Sequence, residues 1–483
     1  MSHPGSLFRT ALIAIAISST WAPTAGAQDV AAQLRELQSA VEALRTELAD
    51  ARRESDQLRR DLQTLRDQLG AGTTEDRTEE PDAEELELLA AKVDDLEQTK
   101  VESGSKYHVR LSGLALLQGA LTQGEVDSVD LPGVARPAVP GRDGGSISGG
   151  VRQSYVRLEV FAPRVAGVRT SGEITFDFFG GFPITTEGLT SGLARMRTTT
   201  ITFDWDHTRI VAGQEAPFFS PVSPTSLLSS AYPALWSAGN MWSWIPQVHV
   251  EHLVLRRGPA AVVLQGGVLD PLTGEPPVSE YERAPTAGER SRRPAAAGRV
   301  AWQRVTPART TRVGAGAYYS QQSWGFERTV NAWAATADWT VPIGPWLAIS
   351  GELYRGRAVA GLGASASPSV GFAGLPDSSS SAVMPFNSTG GWSQVKLAPL
   401  QAFELNMAFG SDRSAPTGSL QLFEAGFIDP ATVRRNASAF INGIYRARSN
   451  LLFSIEYRRL RSATFGGATH TAGHLSVGGG VGF

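Results

Sequence analysis

The stretch VRTSGEITFDF, residues Val168–Phe178, places Ile174, Phe176 and Phe178 on one side of an extended chain and Arg169, Glu173, Thr175 and Asp177 on the other. Successive side chains of a strand point to opposite faces, so this segment reads as a strand with one apolar and one charged face. The pattern recurs. Val156, Leu158 and Val160 oppose Arg157 and Glu159, and Phe403, Leu405, Met407 and Phe409 oppose Glu404 and Asn406. Leu451, Phe453, Ile455 and Tyr457 likewise oppose Glu456 and Arg458. Alternating segments of about ten residues are the signature of a transmembrane β-barrel, but a soluble antiparallel sandwich alternates in the same way.

The connections separate the two. Tight turns are expected at Pro163–Gly167, Asp206–His207, Arg257–Gly258, Pro307–Ala308, Pro342–Pro345, Ala398–Gln401 and Arg448–Asn450. Between them lie longer links rich in Pro, Gly and Ser: Gln123–Gly150, Gly213–Pro246, Asp270–Arg293, Ala358–Asn387 and Gly410–Arg434. Short and long alternate, as periplasmic turns and extracellular loops do. The reading is an all-β fold, a barrel of about 16 antiparallel strands over residues 106–483, wide enough for an aqueous lumen. In the last segment Leu475, Val477, Val481 and Phe483 share a face.

Ahead of the barrel the chain is different. An apolar run from Ala11 to Ile17 follows Arg9 and precedes Ala25-Gly26-Ala27, the three parts of a secretory signal peptide over residues 1–27. In residues 28–70 a heptad holds without a slip, with Leu34, Val41, Leu48, Ser55, Leu62 and Leu69 at a and Leu37, Leu44, Ala51, Leu58 and Leu65 at d. Arg45, Arg52, Arg59 and Arg66 occupy e while Glu47, Glu54 and Asp61 occupy g, so a parallel copy pairs g acids with e arginines. This is a coiled coil built for self-association, although leucine at both a and d leaves dimer and trimer open. Residues 71–85 read as a flexible linker and 86–105 as a second short coiled coil and joint, with Leu86, Leu89, Val93 and Leu96 on its seam.

Composition excludes other classes. The 483 residues carry a formal net charge of -3 and no cysteine, which leaves neither a basic nucleic-acid surface nor a disulfide framework. Beyond the first thirty residues no apolar run approaches the ~20 residues of a membrane-spanning helix, so a membrane role must come through strands. An enzyme lacks support: His249 and His252 point to opposite strand faces, His470 and His474 lie about 13 Å apart by strand rise, and no Gly-x-Ser-x-Gly elbow is present. No metal and no cofactor are expected.

The segments Arg152-Gln153-Ser154, Phe176-Asp177-Phe178-Phe179-Gly180, Val211-Ala212-Gly213-Gln214, Phe219-Ser220-Pro221 and Glu352-Leu353-Tyr354-Arg355-Gly356-Arg357 resemble the DcaP-like porins. That resemblance implies a trimeric sixteen-stranded outer-membrane channel preceded by a periplasmic coiled coil, passing small organic acids and other anions. It also implies that the strand ending at Phe483 is read by the barrel-insertion machinery, and that link 213–246 is the inward-folded third loop that narrows the lumen. This loop carries Glu215, Phe218, Phe219, Tyr232, Trp236, Trp242 and Trp244 among several prolines, which give rigidity and packing. Pore-facing charges by alternation are Arg157, Arg169, Arg299, Arg312, Lys396 and Arg458 against Glu159, Glu173, Asp177, Asp338, Glu352, Glu404 and Glu456.

The expected function is passive diffusion of small hydrophilic solutes across the outer membrane. The expected partners are the chain itself as a homotrimer, outer-membrane lipid and the insertion machinery. A rival reading makes the barrel an anchor and the coiled coil a tether to the cell wall. Deletion of residues 28–101 separates them: native gels should show loss of trimers alone if the coil registers subunits, whereas leakage of periplasmic markers marks a tether.

Overall fold

The computed structural model describes residues 108–164, 167–182, 192–275, 282–307, 309–417 and 428–483. The signal peptide, both coiled coils and their linker lie outside the described residues. Sixteen staves form one antiparallel sheet closed on itself. They are β1 (His108–Gln123), β2 (in two pieces, Gly145–Gly150 and Tyr155–Phe161), β3 (Arg169–Asp177), β4 (Arg195–Asp204), β5 (Thr208–Glu215), β6 (Ile245–Arg257), β7 (Ala260–Leu269) and β8 (Ala295–Val305). The remainder are β9 (Thr310–Ser323), β10 (Thr329–Pro342), β11 (Leu347–Arg357), β12 (Val383–Leu400), β13 (Phe403–Pro416), β14 (Val433–Arg446), β15 (Leu451–Thr464) and β16 (Thr469–Gly482). Closure is β1 against β16, from Leu114 opposite Gly482 to Gln123 opposite Gly473. Both pieces of β2 pair with β1, and the break between them is a turn in which Ser154 N donates to Val151 O.

Ladder register fixes which way each side chain points. Glu159 stands opposite Glu173, Asp177 opposite Arg195, Asp204 opposite Arg209, Arg209 opposite Glu251 and Asp338 opposite Glu352, all on the inner face. Glu215, Glu404, Asp412 and Glu456 follow the same alternation, so every carboxylate on a stave, among the described residues, faces the lumen. The outward positions hold Leu158, Phe176, Ile201, Val250, Trp302, Leu353, Phe409, Ile455 and Val477, each apolar and exposed. Such a belt is soluble only against hydrocarbon.

The short links at one end fall at residues 162–168, 205–207, 258–259, 306–309, 343–346, 401–402 and 447–450; each meets a turn the sequence marks, although β12 runs on through Ala398–Leu400 and leaves only 401–402 of the turn expected at Ala398–Gln401. The expected alternation of short with long links needs correction. At the other end the links 324–328 and 465–468 are as short as the turns, because the β9–β10 hairpin closes on three consecutive positive φ values, Gly325, Phe326 and Glu327. Strands also run further than expected: β13 extends to Pro416 and the upper piece of β2 begins at Gly145, since Ser, Thr and Gly segments continue the ladder beyond the apolar belt.

Arg328 knots this hairpin to the link between β11 and β12. Its guanidinium donates to the carbonyl oxygens of Trp324, Gly325, Pro376, Ser378 and Ser381. Arg328→Ala should leave the barrel's heat stability in detergent unchanged while limited proteolysis cleaves residues 374–382 several-fold faster.

Candidate functional site: a lumen divided by an inward loop

The link between β5 and β6, residues 216–244, turns into the barrel and lies across it. Its apolar side chains are buried against the inner wall: Phe218, Phe219 and Met241 cluster with Tyr318 of β9, Ala334 of β10 and Tyr354 of β11. Leu235 packs on Trp392, Ala408 and Phe440, and Leu228 on Leu114 and Leu116. Each such fully buried side chain contributes roughly 1.5–3 kcal/mol. Glycines permit the approach. A Cβ at Gly410 of β13 would stand 2.1 Å from Ala238 O, and Gly239, at φ 91°, lies against the Gly391 backbone of β12.

Polar contacts follow the same track. Ser220 Oγ donates to Glu352 at 2.5 Å, Ser226 Oγ to Glu456 at 2.5 Å, and Thr225 N to Gln394 at 2.6 Å. Asn442 donates to Thr225 O, Thr336 to Phe219 O, and Gln153 to Leu228 O while accepting from Ser230 N. Arg458 pairs with Glu456 at 2.7 Å and donates to Ser229 Oγ and Pro132 O. The loop is thus held to β2, β10–β12, β14 and β15 by the wall's own polar side chains.

The first link, residues 124–144, enters as well. Asp127 accepts from Gly133 N and Val134 N, and burial pushes its carboxyl above the usual range. Asn436 Nδ2 then donates to Gly133 O and Ser237 O, joining the two loops to β14.

Toward the short turns of β2–β5 the inward charges keep solvent, with side-chain exposures of 43% for Arg157 and 48% for Arg209, whereas Arg299, Asp338, Glu456 and Arg458 lie at 0–3% and Asp177, further along β3, is sealed. The thirteen charges read from sequence therefore share a face but not an environment. Arg157 pairs with Glu173, Arg169 with Asp204, and Glu159 with Arg110, all toward those turns. Arg299 is sealed in a bidentate pair with Asp338, and Glu352 lies under the loop. Glu404 is shared by Lys396 and Arg446 near the 401–402 turn, and Arg312 reaches Gln303. His249 points inward beside Glu215 and stacks on Phe218, while His252 points outward to Thr208.

One charged cluster was not legible by alternation. Thr175 pairs with Thr198 but Phe176 with Met196, so a bulge at Arg197 turns that side chain inward beside Arg195. Asp177, fully buried, accepts from Arg195 at 2.6 Å and lies 3.6 Å from Arg197. The Arg195 guanidinium stands 4.5 Å from the Tyr232 ring centroid and 5.0 Å from Trp244, and Arg197 stands 5.0 Å from Trp244. Tyr232, Trp236, Trp242 and Trp244 pack on one another in stacked and edge-to-face contacts. Arg152 joins from the break in β2, paired with Asp130 and 4.2 Å from the Phe179 ring.

Above this cluster opens a cavity of about 610 Å³ lined by Arg195, Tyr232, Trp244, Arg283 and Arg290. Arg283 precedes, and Arg290 ends, a single helical turn, α1 (Ala287–Arg290), closed by a capping box between Thr286 and Glu289. The Arg283 guanidinium holds Glu289 below the usual carboxylate range.

A closed sixteen-stranded barrel with its β5–β6 loop folded inward is the porin fold. Among solved structures the chain is similar to the outer-membrane channel DcaP of Acinetobacter baumannii, at 13% identity and a TM-score of 0.61 over 80% of this chain and 100% of that one. It is also similar to OprB of Pseudomonas putida (10% identity, TM-score 0.48, 82% and 97% covered) and an anion-selective porin of Comamonas acidovorans (10%, 0.46, 78% and 100%). No protein-family model and no curated relative match the sequence.

Buried pairs make the loop's anchorage measurable. Glu456→Ala leaves the sealed Arg458 guanidinium without its carboxylate, which costs about 3–5 kcal/mol, whereas Glu456→Leu with Arg458→Met should cost far less. Heat-modifiable migration on gels should fall to lower temperature for the first and recover in the second.

Proposed function

We propose that the protein is an outer-membrane porin in which small hydrophilic solutes diffuse passively, with no turnover and no cofactor, and that its lumen favours anions. The apolar outward belt and closed ladder support membrane insertion, and the solvent-exposed inward charges of β2–β5, Arg157, Arg169 and Arg209, support diffusion. The observation that carries the anion preference is the Arg195–Arg197 pair. Two guanidiniums share one carboxylate, Asp177, and their other faces rest on Tyr232 and Trp244. The cluster is thus cationic where the inward loop touches β4. A low-dielectric wall of indole and phenol strengthens that field. The heptads at residues 34–69 support self-association, which this reading takes to be a homotrimer with the coiled coil in the periplasm.

Planar-bilayer recordings of the folded full chain test this reading. Expected are current steps grouped in threes and a reversal potential displaced toward the anion in a gradient of dilute KCl, where screening is weak. Arg195→Ala with Arg197→Ala should lower the chloride-to-potassium permeability ratio at least two-fold and raise single-channel conductance. A protein that inserts and stays silent would sink the porin reading and favour the anchor. Cation preference in the wild type would overturn the role given to the arginines.

A further inference from the structure

The lumen uses every carboxylate on the staves, yet the outer face of β13–β15 carries four exposed arginines: Arg413, Arg435, Arg459 and Arg461. Arg413 and Arg435 stand directly opposite each other in the ladder. Arg461 faces Ala437, two residues from Arg435, and Arg459 follows on the same face of β15. Like charges opposite one another destabilise a sheet. Among the described residues none of the four has an ion pair, and no carboxylate on the staves points their way. The cluster is therefore incomplete without an anion.

Its height says where that anion comes from. The apolar belt beneath begins with Phe403, Tyr445 and Phe453 near the short turns. Arg413 lies ten residues along β13 from Phe403, and Arg435 ten residues along β14 from Tyr445. At ~3.4 Å per residue and a strand tilt of about 40°, this is roughly 26 Å along the barrel axis, the height of the apolar band of such barrels. Arg413 and Arg435 thus crown the belt at the level of head groups on the loop side, while Arg461 and Arg459, eight and six residues from Phe453, step down to roughly 21 and 16 Å along its upper half.

Directly below them the surface is furrowed. One furrow of about 520 Å³ runs between Val395, Met407, Phe409, Ile441 and Tyr457, with Arg459 at its upper rim. A second, of about 930 Å³, continues from Ile441 and Tyr457 over Leu475, Val477 and Gly479. Small residues open the space: Ala437 and Ala439 lie between Arg435 and Ile441, and Arg459 Nη1 lies 3.8 Å from where a Cβ of Gly473 would stand.

We propose that this face is a binding site for a phosphate-bearing lipid of the outer leaflet, its phosphates between the four guanidiniums and its acyl chains in the two furrows. The inference rests on the outer-membrane reading above. Guanidinium groups bind phosphate bidentately and compactly, whereas a second copy of this chain would have to bring carboxylates, and no stave offers one outward. A bisphosphorylated disaccharide lipid fits the spread of four cations over three strands better than a single-phosphate lipid.

Native mass spectrometry of the full-length protein, released from vesicles of phosphatidylcholine doped with one test lipid, decides it. Lipid A with both phosphates should be retained at least ten-fold more than its dephosphorylated form and more than phosphatidylglycerol. The Arg413→Gln, Arg435→Gln, Arg459→Gln, Arg461→Gln variant should lose that excess, and the corresponding four Lys substitutions should keep part of it. Equal retention of the dephosphorylated lipid, or unchanged retention by the Gln variant, overturns the proposal. So does loss of the trimer in the Gln variant with retention unchanged, which assigns the face to a second copy. Bilayer currents from the same preparations keep the two readings apart, since a conducting protein without lipid selectivity sinks only this one and a silent protein with it sinks only the porin.

Discussion

Pairing of β1 with β16 is the constraint on which the rest of this architecture depends. Within hydrocarbon an unpaired amide or carbonyl costs several kcal/mol, and a sheet has no unpaired edge only when it closes. The register that closes it, Leu114 opposite Gly482 through Gln123 opposite Gly473, also fixes the parity of every stave. Parity then divides the chemistry. Carboxylates at alternate positions must all turn inward, and the interior inherits more polar groups than it could leave dry.

The inward loop resolves that surplus on one side. Glu352, Gln394, Asn442 and Glu456 would stand in water in an empty barrel; here Ser220, Thr225 and Ser226 supply their partners. Polarity on this wall therefore serves the loop rather than a passing solute. On the facing wall the charges pair across neighbouring staves, Arg157 with Glu173 and Arg169 with Asp204, and remain wet. Exposed pairs of that kind add little stability, so these side chains are free to respond to whatever enters.

Much of the fold was legible from alternation alone, because period two is imposed by strand geometry and survives in every stave with regular pairing. The turns at one end were legible for another reason, since Pro, Gly or Asn marks most of them chemically and Asp206 marks the 205–207 link. The site was legible only in outline. Arg195 and Arg197 escaped because one bulge shifts parity by a residue, and nothing in RMRTTTITFD announces it except two arginines spaced as inward neighbours. Burial was invisible too: Glu456 and Glu159 look alike in sequence, and only the path of the inward loop separates a sealed carboxylate from a wet one. The entry of the first link, through Asp127, Gly133 and Pro132, depends on contacts three hundred residues apart, such as Arg458 with Pro132, which no local pattern encodes.

A loop that lies flat against half of a cylinder's inner wall leaves a crescent, not a smaller circle. Where the shelf of Tyr232 and Trp244 meets the guanidiniums of Arg195 and Arg197 the two sides touch, so the opening lies beside that contact and not across it. Passage through a crescent is governed by thickness more than by volume. On the porin reading, a thin molecule would slide through edgewise where a round one of equal mass would jam, so molecular shape, and not only size or charge, becomes a quantity such a barrel can measure.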